Sequence, residues 1–150
     1  MIQQSLCGAW QFRQWNTPIW YPASVPGSNY LDMLALGRIA DPFEGMNEQR
    51  LLWLAEQDWE YQRTFTPTSE LLNQQSIELV CGSLDTLAEV YLNGTLVAKT
   101  ANMHRTWRWQ VKDLLNSGEN TLTILFRSPL EYIRGRQRER RLPSIMNGGM

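Results

Sequence analysis

The sequence has one histidine and two cysteines, which leaves few side chains for metal or redox chemistry. Cys7 and Cys81 lie far apart in apolar, strand-like contexts, so we expect two buried free thiols rather than a disulfide. His104 has no partners at a zinc-ligand spacing, and we expect neither a metal nor a cofactor. No G-x-S-x-G motif supports a Ser-His-Asp triad, so His104 is expected in a surface turn.

The sequence also lacks any apolar run near the ~18 residues that predict a transmembrane helix. Its first residues, MIQQSLCGAW, have neither the basic nor the apolar region of a signal peptide, so we expect a soluble, cytoplasmic protein. A formal charge of −1 gives no reason to expect a nucleic-acid or membrane partner. Five of the 14 Lys and Arg residues do fall between Arg134 and Arg141. Because Glu139 interrupts them and no aromatic residue is interleaved, we interpret this run as a solvated or interdomain segment.

Residues 76–98 predict an antiparallel meander of three strands. Apolar residues alternate with other residues over 77–81 and again over 88–92, the period of strands with one buried face. Residues 82–86 separate the two strands. Asn93-Gly94 then indicates a tight hairpin, because both positions accept positive φ, and the chain returns over 95–98.

Further strands are predicted on both sides of this meander, at 6–12, 23–27, 59–65, 107–111 and 122–126. Two short helical pieces are predicted at 30–36 and 48–55, with Asn29 and Asn47 as their N-caps. The seven tryptophans fit a β-sandwich core, although exposed tryptophans also stack on sugars. Seven or eight short strands in one domain predict an all-β antiparallel sandwich with one or two short helices.

Seven short motifs occur in order along the chain: Val25-Pro26-Gly27, Ile39-Ala40-Asp41-Pro42-Phe43, Asn47-Glu48, Asp58-Trp59-Glu60-Tyr61, Gly82-Ser83-Leu84-Asp85-Thr86, Tyr91-Leu92-Asn93-Gly94 and Asn102-Met103. Together they resemble the N-terminal sugar-binding-type domain of glycoside hydrolase family 2, and within it most resemble the β-mannosidases. The resemblance covers about residues 6–132.

The resemblance implies a jelly-roll β-sandwich of the galactose-binding-domain-like type over residues 1–132. Residues 133–150 are then expected to form a basic, loosely ordered segment leading to immunoglobulin-like domains and a (β/α)₈ barrel that this chain does not contain. The two catalytic glutamates of a retaining mechanism would lie in that barrel. We therefore expect no catalytic residue here, and a parent enzyme that hydrolyses terminal β-D-mannose residues.

Two contact regions are implied by the same resemblance. The loop before strand 59–65 can reach the barrel mouth, where Asn47 and Glu48 would line the sugar pocket. A carboxamide both donates and accepts hydrogen bonds, although Asn47 also suits an N-cap and the two roles are compatible. Arg136 and Arg140 are expected to pair with acidic groups of the other domains.

Alternative functions remain open at this point. A free-standing carbohydrate-binding module would need two or more coplanar tryptophans on one exposed surface, and β-galactosidase-like or β-glucuronidase-like enzymes share this domain. Asp58 and Glu60 share one face of a strand, but that face is expected to be solvated, so we do not expect them to be a catalytic pair. Nucleic-acid binding by the Arg-rich segment is the least favoured alternative.

Overall fold

The computed structural model describes residues 1–39 and 52–140, with the side chains described as far as residue 136. Within these ranges the chain forms eight strands, all antiparallel to their partners: β1 (Gly8–Gln14), β2 (Tyr21–Val25), β3 (Trp59–Phe65), β4 (Glu78–Cys81), β5 (Leu87–Leu92), β6 (Thr95–Thr100), β7 (Trp107–Gln110) and β8 (Asn120–Arg127). The predicted all-β fold class is confirmed.

The same ranges contain four α-helices and a 3₁₀ turn: α1 (Asn29–Ala35), α2 (Leu52–Glu56), α3 (Ser69–Leu72), α4 (Pro129–Arg140) and the 3₁₀ turn Lys112–Leu114. The helices therefore outnumber the one or two that were predicted. The N-cap of α1 is Ser28, whose side chain accepts a hydrogen bond from the Leu31 N–H, and not Asn29 as predicted. The segment containing the predicted cap Asn47 lies outside the described residues.

The larger sheet has six strands in the order β2-β1-β3-β8-β5-β6. Cross-strand pairs place Phe12 beside Tyr61, Tyr61 beside Ile124 and Ile124 beside Val90, so one row of apolar side chains crosses the four central strands. Alternation along each strand points this row toward the second sheet. β2, which contains Pro22, lies at the edge of the sheet, where a missing N–H is tolerated.

In the part of the chain that the structure describes, the second sheet consists of β4 and β7, and here the predicted meander is wrong. β4 pairs with β7, Leu79 opposite Trp109, and not with β5, which follows it in sequence. The alternation of apolar residues over 77–81 and 88–92 correctly identified β4 and β5 and their buried faces. The alternation did not show which strand pairs with β4. Residues 82–86 connect β4 in the second sheet to β5 in the larger sheet, and they do not form a hairpin between them. The hairpin at Asn93-Gly94 is confirmed, and Asn93 and Gly94 have φ values of 51° and 80°.

The core lies between the two sheets and is largely aromatic on the side of the larger sheet. The rings of Phe12 and Tyr61 stack with centroids 5.4 Å apart, and Phe12 also packs on Trp59 at 5.9 Å. Asp32 of α1 is buried and accepts hydrogen bonds from the Tyr61 hydroxyl (2.8 Å) and the Ser24 N–H (3.0 Å), which ties α1 to the sheet. Burial, followed by the hydrogen bond to Asp32, raises the pKa of Tyr61 far above its ordinary value.

Three local predictions need correction. Cys7 is exposed and Cys81 only partly buried, although both thiols are free as expected. Two tryptophans are exposed, Trp15 at 46% and Trp53 at 39%, and Trp20 also lies outside the core. Residues 133–140, expected to be loosely ordered, belong to α4, because Pro129 starts a helix and few of the following residues disfavour one. The domain boundary at residue 132 stays a prediction.

None of the helices described in this structure is long and apolar enough to cross a membrane. The cytoplasmic location stays a prediction.

Candidate functional site

One end of the six-stranded sheet presents a partly apolar surface, which we call the α2–α4 end. It consists of α2, the first two turns of α4, Trp15, Asp58 and Arg127. β1 ends one residue before Trp15, β3 begins one residue after Asp58, and β8 ends at Arg127, so three neighbouring strands meet here. The large apolar side chains that it exposes are Trp15 (46%), Leu52 (56%), Trp53 (39%), Tyr132 (46%) and Ile133 (48%).

Asp58 connects the parts of this end. Its Oδ2 accepts a hydrogen bond from Arg127 Nη1 at 2.9 Å, and its Oδ1 accepts one from the Ser128 N–H at 2.7 Å. Its backbone carbonyl accepts a bond from the Trp15 N–H at 2.9 Å. The Ser128 hydroxyl in turn donates to the Ala55 carbonyl of α2 at 2.7 Å. Both helices are therefore fixed to the sheet through hydrogen bonds at β3 and β8.

Arg127 continues this network onto the outer face of the sheet. Its guanidinium pairs with Glu89 on β5, Nε to Oε1 at 3.3 Å, and lies 5.0 Å from the centre of the Trp15 ring. Glu89 also accepts a hydrogen bond from the Tyr91 hydroxyl and pairs with Lys99. Burial alone would raise the pKa of Glu89, but the hydrogen bonds from Tyr91 and Arg127 and the nearby positive charges outweigh burial and lower it.

The two helices also contact each other and the core. Trp59 donates its ring N–H to the Leu54 carbonyl at 2.8 Å, and the Trp53 ring packs on Trp59 at 6.3 Å. Arg134 of α4 pairs with Glu56 of α2 at 3.4 Å, an exposed pair worth little by itself. In the α2–α4 end, hydrogen bonds and packing therefore fix both helices in place, while large apolar side chains are exposed to solvent.

The site residues predicted from sequence are only partly covered by the structure. Asn47 and Glu48 lie outside the described residues, and Glu48 precedes the first residue of α2 by four positions. Arg136 is exposed on α4 with its guanidinium 4.9 Å from the Tyr132 ring centre. Arg140 ends α4, and its side chain is not among those described. The roles of all four residues stay predictions.

The sequence analysis did not single out Arg127 or Trp15. For Trp15 there was one signal in the sequence: a large apolar residue stands beside residues that end the first strand. An apolar residue in that position can lie on the surface and contact another domain. Arg127 has no such signal, because its partners Asp58 and Glu89 are 69 and 38 residues away in the chain.

Asp58 and Glu60, the two carboxylates that share one face of a strand, are each held by an arginine. Glu60 pairs with Arg13 at 2.7 Å on the outer face of the sheet, and Asp58 is held by Arg127 and Ser128. The carboxyl groups of a retaining or inverting pair face each other across a sugar-binding cleft. Within residues 1–39 and 52–140, no three His, Cys, Asp or Glu side chains are grouped so as to hold a metal ion.

The tryptophans do not form the exposed coplanar platform of a carbohydrate-binding module. Trp107 and Trp109 are nearly parallel, at 14°, with centroids 6.0 Å apart, but both are half-buried against the core. Trp15 has the Arg127 guanidinium against its ring, and Trp53 is tilted by 47° relative to Trp59. The exposed tryptophans thus each contact a different neighbour at the α2–α4 end.

Comparisons with known proteins find β-mannosidases that are similar to this chain in sequence and in fold. A probable β-mannosidase of Caenorhabditis elegans is 36% identical over 135 residues, which are 90% of this chain and 15% of that protein. The crystal structure of a β-D-mannosidase from Dictyoglomus thermophilum superposes with a TM-score of 0.86 at 39% identity, covering 89% of this chain and 16% of that one. A β-D-glucuronidase structure for the same organism has a TM-score of 0.62 at 22% identity, covering 82% and 19%, and shares the fold alone.

This chain thus spans about 15% of the length of the curated relatives that it matches. The family model for the glycosyl hydrolase 2 galactose-binding domain-like domain matches residues 10–148. This range includes the whole α2–α4 end and both sheets, apart from the first two residues of β1. By that match, the chain belongs to the glycosyl hydrolase 2 galactose-binding domain-like family.

Proposed function

We propose that this chain is the non-catalytic N-terminal domain of a β-mannosidase-like exo-glycosidase and that it supports the catalytic barrel of that enzyme. The observation that carries this proposal is the α2–α4 end: five large apolar side chains are exposed there, four of them on helices that hydrogen bonds hold to the sheet. Exposed apolar residues gathered at one end of a small domain are typical of an interface. The parent enzyme would cleave terminal β-D-mannose from oligosaccharides.

The paired carboxylates support the non-catalytic half of the proposal. Asp58 and Glu60 each pair with an arginine, at 2.9 and 2.7 Å, and Asp58 also accepts the Ser128 N–H. Because these contacts engage both carboxylates in holding the strands and α4 in place, we assign neither of them to the pair that cleaves a glycoside.

Asn47 and Glu48 extend the same proposal to the sugar. They precede α2, so a segment that leads into the α2–α4 end carries them. In the enzyme they would complete the wall of the sugar pocket, while Arg136 and Arg140 would pair with acidic groups of the neighbouring domains.

A chimera tests the supporting role. Residues 1–150 replace the matching N-terminal part of the Dictyoglomus thermophilum β-D-mannosidase, and hydrolysis of 4-nitrophenyl β-D-mannopyranoside is measured. We expect the chimera to keep activity within about tenfold of the enzyme it was made from, and the isolated chain to have none. A folded chimera without activity, or hydrolysis by the isolated chain, would overturn the proposal.

Matched variants locate the contact surface in that chimera. Trp53→Ser and Tyr132→Ser each remove an exposed apolar side chain from the α2–α4 end, and we expect them to lower activity or thermal stability. Leu96→Ser is the control, because Leu96 is 45% exposed on β6, near the opposite end of the sheet. Equal effects from all three variants would place the contact elsewhere.

A carbohydrate-binding module is the second candidate, favoured by the 46% exposure of Trp15. It is tested by titrating the isolated chain with mannose and mannobiose to millimolar concentration and following Trp fluorescence. Saturable binding that Trp15→Ala abolishes would replace the supporting role with this one. The absence of binding would place sugar recognition in other parts of the enzyme.

A further inference from the structure

The turn between β5 and β6 consists of Asn93 and Gly94, two residues that can react with each other. The carboxamide carbon of an asparagine is open to attack by the backbone nitrogen of the residue that follows it. Gly94 is exposed and has no side chain to crowd its nitrogen. The reaction at this turn therefore depends on whether the Asn93 side chain is free to move.

The Asn93 side chain is held by three hydrogen bonds in the folded chain. Its Nδ2 donates to the Leu114 carbonyl and to Asn120 Oδ1, both at 2.8 Å. Its Oδ1 accepts the Thr121 N–H at 2.9 Å. Attack on the carboxamide makes its carbon tetrahedral, which moves Oδ1 and Nδ2 away from the positions that the planar amide occupies. These bonds must therefore break before Asn93 can react.

The Asn120 side chain cannot adapt to a change at position 93. It is fully buried, and its Oδ1 also accepts the Asn116 N–H at 2.7 Å. Its Nδ2 donates to the carbonyls of Asn116 and Gly118 at 2.9 and 3.0 Å. Rotating the carboxamide would turn its oxygen toward two carbonyls and its nitrogen toward an N–H group. Asn120 therefore offers Asn93 only an acceptor.

This environment accepts an amide at position 93 and disfavours a carboxylate. An aspartate there would keep the hydrogen bond from the Thr121 N–H. Its second oxygen would face the Leu114 carbonyl and Asn120 Oδ1, where the amide has its two donors. Oxygen acceptors that face one another without a proton repel, and a buried acceptor without a donor costs stability. An aspartate at this position therefore cannot restore the network.

We propose that Asn93-Gly94 is a site of deamidation, and that the Asn93 hydrogen bonds confine the reaction to molecules in which this end of the sheet has opened. The Gly94 nitrogen bonds to Asn93 Cγ and loses its proton, the Cγ–Nδ2 bond breaks, and Nδ2 leaves with that proton as ammonia. Water then opens the resulting succinimide at either carbonyl, which gives aspartate or isoaspartate.

Peptide mapping by mass spectrometry tests the site and its protection. The folded chain and a synthetic peptide of residues 87–100 are incubated in the same mildly alkaline buffer, and both products at position 93 are quantified over time. The peptide is the open reference, because an isolated hairpin is marginally stable at best. We expect deamidation to be at least about tenfold slower in the folded chain. Asn147-Gly148 is followed separately, on its own peptide.

Two variants show whether opening at this end of the sheet controls the rate. Asn120→Ala removes an acceptor of Asn93, whereas Asp58→Ala acts at the α2–α4 end. Each leaves polar groups without a partner, so we expect similar losses of overall stability. If local opening controls the reaction, Asn120→Ala should speed deamidation of Asn93 at least about threefold more than Asp58→Ala does.

Asn93→Asp tests the aspartate product directly. Asn16→Asp is the matched control, because Asn16 is exposed, also has a positive φ (63°, against 51° for Asn93) and undergoes the same change of charge. We expect Asn93→Asp to lower the thermal midpoint more than Asn16→Asp does. Equal midpoints would overturn the claim that the network disfavours a carboxylate.

The other outcomes are equally decisive. Equal rates in the folded chain and the peptide would overturn the protection by the fold. Equal acceleration by Asn120→Ala and Asp58→Ala would overturn the local opening, since the chain would then react only after global unfolding. Absence of isoaspartate from the peptide would overturn the succinimide route, because direct hydrolysis of the carboxamide gives aspartate alone.

Discussion

Asp58 and Arg127 lie on neighbouring strands at the α2–α4 end, and their side chains form an ion pair with Oδ2 and Nη1 2.9 Å apart. Asp58 precedes β3 by one residue, and Arg127 is the last residue of β8. The other oxygen of Asp58 accepts the Ser128 N–H, just before α4 begins. One carboxylate therefore fixes both the end of β8 and the direction in which the chain continues into α4.

Asp58→Ala should lower the free energy of unfolding by about 1–3 kcal/mol, because it leaves the Ser128 N–H without its acceptor and removes one of the two carboxylate partners of the half-buried Arg127 guanidinium. Urea denaturation of the isolated chain measures this change. Asp113→Ala is the control, since Asp113 is exposed in the 3₁₀ turn, and its effect should stay within about 0.5 kcal/mol. Similar effects from both variants would mean that Asp58 does not organise this end.

Asn120→Ala should be comparably destabilising at the opposite end of the sheet. The Asn120 side chain is fully buried, accepts from the Asn93 amide and the Asn116 N–H, and donates to the carbonyls of Asn116 and Gly118. Its loss leaves buried polar groups unpaired, and we expect a cost of about 1–3 kcal/mol in urea denaturation. Asn116→Ala removes a side chain but keeps the backbone groups in this network. If it cost as much as Asn120→Ala, the network would not be the cause.

The strands were predictable because their information is local. The alternation of Trp59, Tyr61 and Phe65 with polar residues gave β3 with its observed bounds, and Asn93-Gly94 gave the hairpin. The pairing of β4 with β7 was not predictable in this way. It depends on contacts about 30 residues apart in sequence, and no local pattern records which distant strand completes a sheet.

The candidate site was less predictable than the fold for a related reason. Its defining groups, Arg127 and Asp58, are 69 residues apart, and each is an ordinary charged residue within its own segment. Arg136, which the basic run made prominent, lies over Tyr132 of its own helix, and Arg134 is the arginine that pairs with α2. The local composition indicated a contact region, but it could not show which arginine pairs with a neighbouring helix.

The stability of the chain should fall on acidification partly through Glu89. Its pKa is lowered in the folded state, so its contribution is fully present above the unfolded pKa of 4.5 and is lost as the pH falls through the folded value. Urea midpoints measured from about pH 6 to about pH 3 should therefore decline less steeply for Glu89→Gln than for the unmodified chain. Glu119→Gln, at an exposed turn position, should decline like the unmodified chain. If the urea midpoints of Glu89→Gln fell with pH as steeply as those of the unmodified chain, Glu89 would not contribute to the loss of stability in acid.

The two thiols should react at very different rates, because Cys7 is exposed and Cys81 is partly buried. Burial raises the pKa of Cys81 to about 11, so at pH 8 only about one molecule in a thousand has the reactive thiolate, whereas Cys7 is exposed. With 5,5′-dithiobis(2-nitrobenzoic acid), we expect a fast and a slow phase, and Cys7→Ser should remove only the fast one. The slow rate should rise about tenfold per pH unit above pH 8. Equal rates for the two thiols would show that burial does not slow the reaction of Cys81.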